Sequence, residues 1–508
     1  MSSPNKVLGI VSNLSPKQFR SRKNEDLSER FSNLTVSTLS KDEKEALNDP
    51  KVRRMANIAQ MYFLENYFEA LTYLKSRRQR YHKIQSDTAL MSSQERAAAL
   101  RSYYGRERAL LRKRRTKLKY GDFTILTQVG QGGYGQVYLA RKRDTQEVCA
   151  LKVLNKRVLL KLDEIQHILT ERDILSQASS EWLVNLLYSF QDNEKLYLAM
   201  EFVPGGDFRT LLNSTGTLNE KHTKFYMTEM FMALDALHQL NFIHRDLKPE
   251  NFLITAEGHI KLTDFGLAAG QIPPQIIENL KQRLEKVKDL AVPYMSVKER
   301  RGAFRGAKMA DIEYANSVVG SPDYMALEVV EGRPYDYTID YWSMGCMLFE
   351  ANVGYPPFSG RSTDETYSNL QNWRSSLRRP QYENGDWVVS DLAWSLIQKL
   401  ITSPSQRVRS VDEIFHHPYF VDSDWRNIRS QKPPFVPDLE GDDDAGYFDD
   451  FDNEADMAKY KEVLNKRNEM DKLASTADNL CSRDFVGFTY RHAKPTHDNR
   501  EGTFSTII

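Results

Sequence analysis

Along this chain the period of the hydrophobic positions changes, and the changes divide it. From Lys51 to Arg80, Met55, Ile58, Ala59, Tyr62, Phe63, Tyr67, Leu71 and Leu74 recur at helical spacing with no Gly or Pro among them. Met61–Leu64 is apolar nearly all round, so this helix is expected to bury more than one face. A second helical stretch covers Ser93–Lys119, with apolar points at Ala97–Leu100 and Leu110–Leu111 and a basic end, Arg112-Lys113-Arg114-Arg115. From Asp122 the pattern becomes strand-like. Phe123–Val129 alternates, a glycine-rich turn follows, and Tyr138-Leu139-Ala140 and Val148–Lys152 read as the next strands. A helix is expected over roughly 157–177 and a buried strand over Leu196–Phe202. His222–Leu240 then reads as a core helix, with Phe225, Met230, Leu234 and Leu237 in phase. Phe252–Ile254 and His259–Leu262 form a hairpin-like pair around Glu257-Gly258.

Composition narrows the setting. The 508 residues suffice for several domains or one large two-lobed unit with extensions. Residues 1–50 are rich in Ser, Asn, Lys and Glu and are expected to be disordered. The net charge of +1 marks the whole chain as neither a polyanion binder nor an acidic solvating protein. Locally the balance differs: residues 51–119 carry roughly three times as many basic as acidic side chains. That excess fits a solvated helical face, nucleic-acid affinity or a docking surface for an acidic partner. Cys149, Cys346 and Cys481 are sparse and in no metal-ligand spacing, which points to free thiols in a reducing compartment. No secretory signal, membrane span or prenylation signal is readable.

The candidate chemistry centres on His244-Arg245-Asp246-Leu247-Lys248-Pro249-Glu250-Asn251. Phosphoryl transfer needs a carboxylate to accept a hydroxyl proton, a cation near the γ-phosphate and an amide oxygen for a metal. Other parts lie at separate places. Gly130-Gln131-Gly132-Gly133-Tyr134-Gly135-Gln136-Val137 lets backbone approach phosphates. The strand after this turn opposes a Rossmann reading, which requires a helix there. Lys152 is the one cation in an apolar strand, and Glu171, nineteen residues on, is its expected partner. Asp207, after the Glu201–Gly206 turn, is expected to reach a ribose hydroxyl. Thr263-Asp264-Phe265-Gly266 supplies a second metal carboxylate.

This set resembles the eukaryotic protein kinases over residues 122–420. The resemblance implies an α+β bilobal protein kinase fold, with a small β-rich lobe and a large helical lobe. It implies that Asp246 orients and deprotonates the substrate hydroxyl, and that Lys248 neutralises the γ-phosphate. Asn251 and Asp264 would hold Mg2+, and Lys152 with Glu171 would position ATP beneath Gly130, Gly132, Gly133 and Gly135. Val137, Ala150, Met200 and Leu253 would enclose adenine, with backbone bonds from Glu201 and Val203. Lys248, two residues after the catalytic Asp, resembles the serine/threonine class. The usual Ala-Pro-Glu is Ala326-Leu327-Glu328 here, and its Glu is expected to pair with Arg407. Asp340 to Gly345 matches the helix that braces the catalytic loop.

Beyond residue 420, Pro433-Pro434-Phe435 and Gly446–Phe451 resemble the AGC kinase C-terminal tail (421–508). Phe485-Val486-Gly487-Phe488-Thr489-Tyr490 resembles its hydrophobic motif. With the basic helices of 51–119 and the long activation segment, the chain resembles the NDR/LATS branch. It is similar there to fungal mitotic-exit and septation kinases, through Met61–Glu65 and Arg77–Arg80. The resemblance implies a Mob coactivator on residues 51–119, phosphosites at Ser317 and Thr489, and an upstream kinase acting on Thr489. It implies substrates with Arg three residues before the Ser/Thr, recognised by Asp207, Glu250 and Glu350. A cytoplasmic protein at the spindle pole body and division site, with no nucleic-acid partner, is expected. An insertion over 272–312, with a helical run near Ile276–Leu290, fits either a solvated loop or an inhibitory element. A pseudokinase scaffold and a nucleic-acid binder are the alternative classes. The intact catalytic set opposes the first, and the lack of aromatic–basic interleaving opposes the second.

Overall fold

The computed structural model describes residues 41, 45, 49–115, 117–132, 135–161, 164–177, 180–268, 274–288, 290, 292, 294–310, 322–451, 453, 485 and 488–491. The chain divides into two units between Arg115 and Thr116.

The first unit is a pair of helices, α1 (Pro50–Asp87) and α2 (Ser93–Arg115). Polar bonds clamp the C-terminal half of α1 to α2. Glu107, buried, accepts from Arg80 Nε at 2.7 Å and from Tyr73 OH at 2.8 Å. Tyr103 OH donates to Arg77 O at 3.2 Å. The more N-terminal part of α1 is different. Phe63, Leu64, Tyr67, Phe68, Leu71 and Leu74 are exposed, Phe63 at 70 %. Among the described residues these positions are therefore not buried, while the side chains of Met55, Ile58, Met61 and Tyr62 lie outside the described ones. The clamp engages Tyr73, Arg77 and Arg80, and the described aromatic side chains of the turns before them stay exposed.

The second unit opens with a six-stranded antiparallel sheet of order β1-β2-β3-β5-β4-β8. Its strands are β1 (Phe123–Gln131), β2 (Gly135–Lys142), β3 (Val148–Asn155), β4 (Leu186–Gln191), β5 (Lys195–Glu201) and, from the far C-terminus, β8 (Tyr490–Arg491). One face carries its own small core of Phe123, Ala140, Cys149, Leu151, Val153, Phe190, Tyr197 and Ala199. Phe190 stacks on Tyr197 at 4.7 Å between ring centroids. The single helix expected over 157–177 is two, α3 (Lys156–Lys161) and α4 (Ile165–Gln177). The break has a local cause. Glu164 N–H closes back on Leu159 O at 3.0 Å, ending the first helix, while its carboxylate meets His167 in the first turn of the second.

The larger lobe is helical: α5 (Phe208–Thr215), α6 (Glu220–Gln239), the hairpin β6 (Phe252–Ile254) and β7 (Ile260–Leu262), α7 (Pro274–Val287), α8 (Val297–Ala310), α9 (Leu327–Val330), α10 (Ile339–Val353), α11 (Thr363–Gln371), α12 (Asp391–Leu400) and α13 (Val411–Phe415). Every residue of α10 except Asn352 is buried, which makes it the central core helix of this lobe. Asn219 caps α6 through His222 N–H, and Ser390 caps α12 through Ala393 N–H.

The insertion is packed rather than solvated. Leu280, Leu284 and Val287 of α7 are buried, against α9 and α11. The second helix, α8, was not legible in the sequence. Arg300 donates to Pro357 O at 2.7 Å, Arg301 donates to Val353 O at 2.7 Å, and Phe304 is buried. Basic side chains that read as solvated charge thus satisfy carbonyl oxygens of the large lobe.

Candidate active site

Strand register brings the first group together. In antiparallel pairs, directly opposed residues share a face. Val137 opposes Lys152, and Ala150 opposes Met200. Since Ala150 and Lys152 are two apart on β3, all four side chains lie on one face, the one opposite the small aromatic core. Gly130 opposes Val137, and Gly132 N–H bonds Gly135 O at 2.9 Å across the turn. Gly135 is required by space: a Cβ there would stand 2.0 Å from Val153 O. Gly133 lies outside the described residues.

Lys152 Nζ is 2.6 Å from Glu171 Oε1 of α4 and 3.9 Å from Asp264 Oδ1. Burial acts against the ammonium, but Glu171 and then Asp264 outweigh it and hold Lys152 above its ordinary pKa. Burial would raise Asp264, yet Lys152 and Lys248 outweigh it and hold the carboxyl below the usual carboxylate range. Asp264 sits at φ 62, a left-handed conformation rare for a non-glycine residue, next to Phe265, which is fully buried beside the His244 ring.

The octapeptide loop is held from below. Asp340 at the start of α10 accepts His244 N–H on Oδ2 and Arg245 N–H on Oδ1, both at 2.9 Å. His238 Nε2 meets the same Oδ2 at 2.8 Å. Arg245 is held at φ 70. Asp246 then carries Lys248 Nζ on Oδ2 at 2.8 Å, and its carbonyl accepts Asn251 Nδ2 at 2.7 Å. That last bond uses the amide nitrogen of Asn251 and leaves its oxygen for another partner. Asn251 O accepts Thr263 N–H, tying the loop to the residue before Asp264. The Asn251 side-chain oxygen and the Asp264 carboxylate would supply two hard oxygens to a metal. This set fits a magnesium ion better than a softer metal.

Between the lobes, Val203 is buried, and Leu253 pairs with Asp207 through an isolated antiparallel bridge. The C-terminal tail lies on this turn. Tyr447 O is 3.0 Å from where a Cβ of Gly206 (φ 74) would stand, and the Phe448 ring lies 5.5 Å from that of Phe202. Arg141 Nη2 pairs with Asp443 at 2.6 Å, so the acidic run is anchored to β2. Further on, Phe485 and Phe488 are buried against the sheet edge. Gln191 donates to Phe485 O, Ser189 donates to Phe488 O, and Tyr490 pairs with Ser189 across β4. Thr489 between them is exposed.

Asp207 caps α5, accepting Thr210 N–H at 2.7 Å. Burial, with some help from Glu250, raises its carboxyl pKa to about 6. Glu250 keeps a third of its side chain exposed and takes Arg209 Nε at 2.9 Å. Glu350 departs from the expectation. It is 1 % exposed, and its carboxylate is bonded by Arg209 and Tyr324 instead of lying open to a substrate. The sequence reading missed both partners. The available signal was a cation two residues after Asp207 inside an otherwise apolar turn. Glu328 and Arg407 do meet, at 2.6 Å and buried. Ser317 lies outside the described residues.

A glycine-turn sheet, a Lys–Glu pair, a braced Asp loop and a second Asp beside a buried Phe define an ATP-dependent phosphotransferase of the protein kinase class. Residues 123–283 and 303–420 match the protein kinase domain, and 439–490 match the protein kinase C terminal domain. The chain belongs to the serine/threonine protein kinases of the AGC group, in the NDR/LATS branch. It is 54 % identical over 463 residues to serine/threonine-protein kinase sid2 of Schizosaccharomyces pombe, covering 90 % of this chain and 76 % of that one. Cell cycle protein kinase DBF2 of Saccharomyces cerevisiae is 52 % identical over 487 residues, covering 91 % and 85 %. Serine/threonine-protein kinase DBF20 of the same yeast is 52 % identical over 480 residues, covering 93 % and 84 %.

Proposed function

We propose that this kinase transfers the γ-phosphoryl of ATP to Ser/Thr in proteins carrying an upstream Arg, and does so under control of a Mob-type coactivator. The observation that carries the catalytic reading is the continuous contact set from Glu171 through Lys152 to Asp264, beside Asp246 with Lys248 and Asn251. In this reading the substrate hydroxyl donates to Asp246, which orients it and takes its proton. Lys248 leans on Asp246 before substrate enters and turns to the γ-phosphate when it does. Lys152, fixed by Glu171, holds the α- and β-phosphates under Gly130, Gly132, Gly133 and Gly135. Val137, Ala150, Met200 and Leu253 sandwich adenine, Glu201 and Val203 meet its edge with backbone groups, and Asp207 meets the ribose. Asn251 and Asp264 would hold Mg2+, which supplies charge neutralisation at the phosphate oxygens.

Regulation follows from surfaces outside the lobes. The exposed aromatic turns of α1, in a region with a strong basic excess, suit a partner with an acidic, partly apolar face, as a Mob coactivator would present. Thr489 is exposed between two docked aromatics, so an upstream kinase can reach it, and a phosphate there gains charge-assisted bonds. Arg245 Nε is buried without a hydrogen-bond partner among the described residues, which suits a phosphate on Ser317. Similarity to a cell cycle protein kinase supports a role in the cell cycle, and the resemblance to mitotic-exit and septation kinases extends the proposal to mitotic exit, septation and cytokinesis, at the spindle pole body and division site. No helix among the described residues is long and apolar enough to cross a membrane.

The test is phosphotransfer to an Arg-containing peptide, with and without Mob, by wild type and Asp246→Asn. The wild type should turn over Mg-ATP faster with Mob. Asp246→Asn should lose about 10²–10⁴-fold in kcat while staying folded. Equal rates in the two proteins would refute the assignment of Asp246.

A further inference from the structure

Arg209 in the first turn of α5 is a cation that the catalytic reading leaves unused. It is 6 % exposed, and its bonds satisfy two carboxylates and a phenol. Nε donates to Glu250 Oε1 at 2.9 Å. Nη1 donates to Glu350 Oε1, and Nη2 reaches Glu350 Oε2 at 3.2 Å and Tyr324 OH. Tyr324 OH donates in turn to Glu350 Oε2 at 2.6 Å. The Phe304 ring of α8 lies 5.8 Å from the guanidinium carbon, completing the enclosure. The two contacts on Glu350 are the forked, two-bonded geometry by which guanidinium groups recognise carboxylates.

Two of the three carboxylates assigned above to upstream substrate bases, Glu250 and Glu350, therefore already hold a guanidinium, and it is the enzyme's own. A carboxylate as buried as Glu350 is costly to keep without such a partner. Asp207 is the exception. Both of its hydrogen bonds fall on Oδ1, from Thr210 N and Oγ1, so Oδ2 remains for a substrate cation. We propose that Arg209 is a specificity-determining residue. It fills from within the acidic subsite between Glu250 and Glu350, so the enzyme selects one upstream Arg and is indifferent to a second basic residue.

This inference rests on the reading that these carboxylates line the upstream substrate cleft, and the experiment separates the two. The full chain with its coactivator is assayed on peptides with Arg or Ala at −3, each with Arg scanned singly through the other upstream positions. Wild type should prefer Arg at −3 and show about threefold or less selection elsewhere, the scale of an exposed ion pair. Arg209→Met should gain about tenfold selection for a second Arg at a single position, as an emptied charged subsite does for the group that completes it. Arg209→Met/Glu350→Gln, which removes the stranded charge, should lose that gain. A wild type with about tenfold selection for a second base overturns the proposal, and that measurement stands even if Arg209→Met does not fold. A folded Arg209→Met with the wild-type profile overturns it too. Loss of −3 selection in wild type would instead refute the upstream-Arg reading.

Discussion

Replacing Asp340 by Asn removes one oxygen and one charge from beneath the catalytic loop and changes little in size. In the native protein, Oδ2 takes His244 N–H and His238, and Oδ1 takes Arg245 N–H. An amide offers one acceptor. If its nitrogen stands at the Oδ1 position it faces Arg245 N–H, and at the Oδ2 position it faces His244 N–H. Either way a buried backbone donor loses a charge-assisted bond and meets another donor. The lost bond and the stranded donor together cost about 3–5 kcal/mol. Against a typical stability of about 5–15 kcal/mol this leaves a folded protein, with a thermal midpoint about 5 °C lower. The sharper effect is local. Arg245 at φ 70 is held in that conformation by this carboxylate, and Asp246 is the next residue. Relaxation of Arg245 displaces Asp246, and a shift of about 1 Å in a reacting group lowers the rate about 10²-fold. The assay is steady-state phosphotransfer at a temperature where circular dichroism reports a folded variant. We expect kcat to fall about 10²-fold with the KM for ATP little changed, because the Lys152–Glu171 pair is untouched. A folded Asp340→Asn enzyme with wild-type kcat refutes the reasoning that Asp340 sets the loop.

Three other outcomes are expected. The Asp207 carboxyl, raised to about 6, is protonated below that pH and cannot then pair with a substrate guanidinium. The KM for an Arg-at-−3 peptide should rise as pH falls from 7.5 to 5.5, while an Ala-at-−3 peptide shows no matching change. A raised folded pKa means the native state binds this proton more tightly than the unfolded chain. The residue's contribution to stability therefore falls as pH rises from the ordinary carboxylate range through about 6. Glu328→Ala strands the buried Arg407 and should cost about 3–5 kcal/mol in urea unfolding; a loss below about 1 kcal/mol would show that the pair is replaceable. Thr489→Ala should lower activity strongly with an unchanged thermal midpoint, since the side chain is exposed, and full activity in the purified variant–Mob complex would sink the idea.

The catalytic groups were legible because their relations are short-range in sequence. Asp246, Lys248 and Asn251 lie within six residues of one another, and Lys152 was paired with Glu171, nineteen residues on, because phosphoryl transfer and the kinase resemblance require such a pair. Strands β1–β3, β5, β6 and β7 were legible because a period of two reads directly as a pleated, half-buried surface, whereas β4 was not read. Two further features were not legible. The break between α3 and α4 depends on a backbone closure from Glu164 to Leu159 that leaves no mark on apolar periodicity. The insertion helix α8 carries Arg300 and Arg301, whose carbonyl partners Pro357 and Val353 are more than fifty positions away, so charge there resembled solvated surface. On α1 the expectation of burial met a different outcome: Leu64, Tyr67, Phe68, Leu71 and Leu74 are exposed among the described residues, a placement that apolar periodicity alone does not reveal.

Distance in sequence also explains why the occupancy of the acidic positions was not legible. Asp207, Glu250 and Glu350 were grouped by their match to the acidic substrate-recognition positions of AGC kinases, which presumes that each is open to a substrate. Whether a carboxylate is open depends on its cation, and the cation of Glu350 is 141 positions away at Arg209. It also needs Tyr324 from the end of the activation segment and Phe304 from the insertion, parts that have no bearing on the chemistry at Asp246. Counting acidic positions therefore overstates how many basic residues the substrate must carry. Catalysis depends on a constellation that must be intact in every active member of the class, whereas selectivity can be reset by one side chain reaching into a subsite. In this kinase Arg209 is placed to do that, and its reach joins the upstream cleft to Tyr324, near the end of the activation segment.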